Sequence, residues 1–202
     1  MVLQILSWMN KKRGDFTAMD GLYISGYFSD DDKLMLDNYA DELHSKNVPF
    51  YVRNLSGTMM QSAFDFADFE LIAVAYEVLQ QFILNGGYDI TKYFFKKLWW
   101  NITKNRESNI PFTISIEGIP TANGTETIKC KTQGQLSDEQ KEKVLDKTFY
   151  LASQIEKHQY QLMEKNQYYA ALSGHLFRYS LSDEELHEID IEAEVKKKSE
   201  KK

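Results

Sequence analysis

Four histidines, one cysteine and several close sets of carboxylates are the residues of this chain whose types could support catalysis or ligation. A helical zinc site needs two histidines four residues apart with a glutamate between them, and a nucleophilic site needs a base within hydrogen-bond reach of a serine or cysteine. His44, His158, His175 and His187 stand in no such pattern, so no metal centre is expected. Ser173-Gly174-His175 brings a hydroxyl and an imidazole together in sequence. It lacks the Gly-x-Ser-x-Gly elbow, and no acid partner can be assigned, so His175 is expected to pack or to face water. Cys130 shares a strand face with Ile128 and is expected to be a small inward residue rather than a reactive thiol. With a single cysteine the chain can form no internal disulfide, which points to a reducing, cytoplasmic setting.

The acidic sets are the next candidates. Leu22 to Phe28 is rich in β-branched and aromatic residues, and Ser29 with Asp30, Asp31 and Asp32 then opens a helix. The carboxyl end of a strand beside a helix N-terminus is where α/β folds often bind ligands, which makes Ser25, Asp30, Asp31 and Asp32 the candidate ligand-binding residues. Three aspartates would repel an anion, and capping explains them more simply. Asp65 and Asp68 lie on one helical face at a spacing that could hold a cation, although further ligands are missing. Neither the dinucleotide Gly-x-Gly-x-x-Gly fingerprint nor a Walker Gly-Lys-Ser/Thr is present, so no cofactor is expected.

The elements that must position these residues follow from periodicity. Leu36, Tyr39, Ala40 and Leu43 recur at helical spacing, Asn47 and Pro49 stop the helix, and Phe50 to Leu55 reads as a strand. This predicts a βαβ unit with parallel strands. A long helix is expected after Thr58, ending at Asn85-Gly86-Gly87 and buried on most sides. A second helix follows, with Ile90, Phe94, Phe95, Leu98, Trp99 and Ile102 opposite Lys92, Lys96, Lys97 and Lys104. Phe112, Ile114 and Ile116 alternate with polar residues, as do Ile128 and Cys130, across an Asn123-Gly124 turn signal, predicting a β-hairpin. Ser137 and Gln140 form a capping box for a helix expected to run to about Asn166. Its Leu151, Ile155 and Leu162 belong to a seam that could meet another helix, and are the candidate oligomer interface. Gln167 to Tyr179 is expected to be one more helix. Residues 182–202 are polar enough to suggest a disordered tail. The fold class is therefore α+β: a small mixed sheet packed against a helical hairpin and long C-terminal helices, with 1–181 as one domain.

Composition limits function further. The 202 residues are 43% hydrophobic and 27% charged, enough for one well-buried core. A formal charge of −6 argues against a general nucleic-acid role. Lys11, Lys12 and Arg13 follow the apolar start rather than preceding it, the reverse of a signal peptide, so the sequons at Asn101 and Asn123 are expected to be inert. Phe69 to Leu84 contains Glu70 and Glu77 and is too short for a confident transmembrane span.

Ser29 to Asp32 opening the first helix, Gly57-Thr58-Met59 leading to the helix pair, Gly86-Gly87 between them and Phe112 to Gly118 before the hairpin turn resemble the effector-associated constant component family of bacterial antiviral conflict systems. The resemblance spans Leu22 to about Leu151. It implies a small adapter that couples an effector to other components, without catalytic residues. The expectation is a non-enzymatic protein-interaction module with a protein partner, which a second copy of the chain could also supply in a homo-oligomer. Two alternatives stand beside it. One is a small ligand-binding protein or enzyme with its site at the first strand-to-helix loop. The other is peripheral attachment to an anionic membrane through Ile90 to Lys104.

Overall fold

The computed structural model describes residues 21–26, 28, 30–45, 48–54, 70–103, 112–132, 136–164, 174–193 and 196. The elements are β1 (Leu22–Gly26), α1 (Asp30–Ser45), β2 (Phe50–Asn54), β3 (Glu70–Ala75), α2 (Tyr76–Gly86), α3 (Tyr88–Thr103), β4 (Phe112–Thr121), β5 (Gly124–Thr132), α4 (Asp138–Glu156), β6 (His175–Ser180) and β7 (Glu185–Glu188). The strands form one mixed seven-stranded sheet in the order β2-β1-β3-β4-β5-β6-β7.

β1 and β2 are parallel and joined through α1, as the βαβ reading predicts. β4 and β5 form the antiparallel hairpin. Its two turn residues are Ala122 and Asn123, so Gly124 already belongs to β5 and pairs with Thr121. A register shift between Ile116 and Ile119 marks a bulge, where Gly118 adopts a φ of 73° that an L side chain rarely tolerates.

Alternation assigns one sheet face to the core. Leu22, Ile24, Ile72, Val74, Ile114, Ile116, Ile128, Cys130 and Phe177 join Leu36, Leu79, Phe95, Leu98, Val144 and Phe149 of the helices in one contiguous apolar cluster. All four described helices contribute to it, so they lie on the same side of the sheet. Phe95 meets Phe149 edge to face at 5.3 Å, and Trp99 stacks on Phe112 at 4.5 Å. Tyr76 donates to Glu156 at 2.8 Å, fixing α2 to the end of α4. The opposite face carries smaller and polar residues, among them Ala73, Thr113 and Ser115, all buried.

Four expectations require correction. The segment from Glu70 to Gly86 is not one helix: Glu70–Ala75 is a central strand between β1 and β3's parallel neighbour β4, and only then does α2 begin. A strand covered on both faces is a continuous apolar run, which periodicity cannot separate from a buried helix. The helix from Asp138 ends at Glu156 rather than near Asn166, and His158 turns the chain with a φ of 56°. His175–Ser180 is strand β6, not helix, with His175, Phe177 and Tyr179 buried in strict alternation. Finally, the stretch assigned to a disordered tail from 182 onward contains β7, paired antiparallel with β6. Ile189 and Ile191 then pack against Leu176. The segment's polar residues hide this role, because one strand needs few apolar positions when its backbone completes a ladder. The helical hairpin of α2 and α3 is as predicted, with Gly87 between the helices at a φ of 81°.

Candidate functional site

A buried group of ionisable side chains lies where β5, β6 and β7 meet the segment after α4. His175 begins β6, and its neighbour Gly174 has a φ of 147°, where an added Cβ would lie 2.8 Å from the carbonyl oxygen of Thr127. That close approach seats His175 beside Ile128 on the core face. Its Nδ1 is 2.8 Å from Glu188 Oε1, and its Nε2 is 3.6 Å from Glu126 Oε2. The His175 and Glu188 side chains are only 2% and 3% exposed. Glu188 also accepts from the Met163 backbone N–H at 3.2 Å and from the Tyr160 hydroxyl at 3.4 Å. Burial and this carboxylate push the Tyr160 hydroxyl up to about 12.

This arrangement holds structure together rather than exposing a reactive group. A buried carboxylate needs several donors, and Glu188 draws them from β6 and from residues 160–163, tying three segments to one point. The two carboxylates engage opposite ring nitrogens, so one ion could not take both together with the imidazole. Among the described residues no group of three or more His, Cys, Asp or Glu side chains is arranged to hold a metal. Sequence reading singled out His175 but lacked an acid partner, because Glu188 lay in the segment taken for a tail.

The other expected site residues are scattered. Ser25 lies on β1 in register with Arg53 and Leu71, and is partly buried. Asp30 and Asp31 begin α1, and their side chains lie outside the described residues. Phe28 and, in the first turn of α1, Asp32 are both buried. Asp65 and Asp68 lie outside the described residues. Leu151 and Ile155 belong to the chain's own core and Leu162 packs against it, so the helical seam faces this molecule's interior. Cys130 is fully buried.

The solvent side of the helical layer carries part of the Ile90 to Lys104 helix that the sequence offers as a membrane-facing surface. α3 buries Thr91, Phe95, Leu98 and Trp99. Its lysines turn sideways to α4, where Lys92 pairs with Asp146 at 3.2 Å and Lys96 with Glu142. Tyr88 donates to Asp146 at 2.7 Å, and burial together with that carboxylate holds its hydroxyl well above the ordinary tyrosine range. Besides Tyr88, the large apolar and aromatic side chains facing water among the described residues of α3 are Ile90, Tyr93 and Trp100, 66%, 61% and 48% exposed, beside exposed Asp89 and Lys97. Lys97 lies in the same stripe, its ammonium 5.4 Å from the Tyr39 ring. Exposed Leu84 lies at the α2 end of this layer. The helix was expected to turn Ile90 inward with Phe94, yet the core-facing arc is narrower and leaves Ile90 outside it. A shallow groove of about 580 Å³ runs nearby between Tyr88, Tyr150, α4 and residues 183–185. Its lysines are engaged, Lys143 with Glu184 at 2.8 Å and Lys147 with Glu185 at 2.6 Å.

Among the described residues no helix is long and apolar enough to cross a membrane. No protein-family model, curated protein or solved structure matches the chain.

Proposed function

We propose that this protein is a non-enzymatic interaction module of the cytoplasm that binds a protein partner through the outer face of α3. The observation that carries this reading is the exposed stripe of Ile90, Tyr93 and Trp100 on a helix whose opposite face is fully used by the core. Isolated surface apolar residues are ordinary, but aromatic side chains aligned on one rigid helix are what protein interfaces concentrate at their centres. The helix is anchored by Phe95, Leu98 and Trp99 below and by Lys92 and Lys96 to the side, so binding would require little ordering of the chain. An adapter that couples an effector to other components of a bacterial defence system, as the sequence resemblance implies, would use such a face.

Quantitative affinity capture tests the reading. Immobilised wild-type protein is compared with the Ile90→Ala/Tyr93→Ala variant, and with Tyr150→Ala as a control on a different exposed aromatic. Retention of a partner by wild type and the control, with loss in the double variant, is expected. Equal retention by all three would remove α3 as the contact surface.

A further inference from the structure

Ile90, Tyr93, Lys97 and Trp100 are separated by three, four and three residues, an order of steps that reads the same from either end. A two-fold axis perpendicular to α3 at the level of Phe95 therefore maps the stripe onto itself. It sets Ile90 against Trp100 of a second copy, and Tyr93 against Lys97 of that copy. We propose that the protein self-associates through this face, with α3 packed antiparallel on α3 of a second copy. The proposal rests on α3 being a contact surface and specifies its occupant.

The chemistry at each facing position is complementary. Ile90 would cover the half-exposed indole of the second copy's Trp100, removing two apolar groups from water at each end. Lys97 already lies over Tyr39 of its own chain, so the arriving Tyr93 ring would enclose the ammonium between two aromatic faces. The neighbouring Lys92 and Lys96 are held by Asp146 and Glu142 and bring little uncompensated charge to the axis. Such a contact is isologous: both copies use one patch, and assembly closes at two. The stripe is only about 15 Å long, so the dimer should be weak and concentration-dependent.

Disulfide trapping gives a test specific to this register. Residues 90 and 100 lie about 15 Å apart along one helix, beyond the about 7 Å that a disulfide can bridge between Cα atoms. An Ile90→Cys/Trp100→Cys variant therefore cannot close within one chain, and buried Cys130 is inaccessible. Under mild copper-phenanthroline oxidation the double variant should form a covalent dimer, while either single cysteine variant stays monomeric because like positions are also about 15 Å apart in the antiparallel pair. In parallel, sedimentation of otherwise native protein should show dimerisation, weakened about tenfold by Lys97→Glu because two cation–aromatic pairs are lost per dimer. Absence of dimer at every concentration overturns the proposal, as does cross-linking of the single variants as readily as the double. So does flotation with phosphatidylserine vesicles in place of dimer formation, which would assign the face to a membrane. If no dimer forms while Ile90→Ala/Tyr93→Ala still abolishes capture of a partner, self-association fails and the contact-surface reading survives.

Discussion

His175 Nδ1 lies 2.8 Å from Glu188 Oε1 in the interior, linking the first residue of β6 to the last of β7. Around that contact, Tyr160 and the Met163 amide converge on the same carboxylate. The pair thus joins the β6–β7 ladder and the Tyr160–Phe177 ring contact in holding the residues after α4 and the last strand to the sheet.

Removing one member of a buried charged or hydrogen-bonded pair leaves the other desolvated without compensation. Glu188→Ala is expected to cost about 3–5 kcal/mol of stability, measured by urea unfolding. Glu188→Gln, which keeps the shape and an acceptor oxygen, should cost less. Unchanged stability in both variants would show that the cluster contributes nothing to the fold.

Glu117 on β4 behaves oppositely. Burial raises its carboxyl above the ordinary glutamate range, only partly offset by Lys129 and by the Ser115 hydroxyl 3.3 Å away. The folded protein therefore binds this proton more tightly than the unfolded chain does. That contribution is complete at pH below the unfolded value, about 4.3, and is lost as pH rises through the higher folded value. Glu117→Gln should consequently stabilise the protein at pH 7, with the advantage shrinking toward pH 4. An advantage that grows on acidification would contradict the assignment.

Cys130 is fully enclosed, and burial pushes its thiol up to about 12. Native protein should not react with Ellman's reagent at pH 8, and one thiol per chain should appear in denaturant. Rapid labelling of the folded protein would mean that the strand face of β5 opens far more readily than its packing implies.

Local signals were legible in the sequence wherever short-range physics decides the structure. The Ser137 side chain accepts from the Gln140 backbone while the Gln140 side chain accepts from Ser137, the reciprocal cap that the residue types announce. The βαβ unit and the Phe112 to Cys130 hairpin were equally plain from alternation and turn residues. Failures came where tertiary pairing overrides composition. Leu71 to Ala75 looks helical until β1 and β4 flank it, and Glu185 to Glu188 looks like solvated tail until β6 pairs with it. The same blindness separated His175 from its acid, because the two meet through sheet order rather than through a motif. Leu151 and Ile155 form a seam that the sequence offers to another helix, and in the structure that seam packs into the chain's own core. Ile90 was placed inward by a helical pattern that cannot tell how wide an arc the neighbours will cover.

The central claim is that Ile90 and Tyr93 on the outer face of α3 are spare to the fold and available to another molecule. Equilibrium unfolding of Ile90→Ala/Tyr93→Ala beside wild type, at low protein concentration, tests this most directly because it requires no knowledge of the partner. The two side chains are about two-thirds exposed, so the account predicts stabilities equal to within about 0.5 kcal/mol. A loss of about 3 kcal/mol or more, the scale of a core truncation, would show that these side chains serve the protein's own packing and would contradict the account.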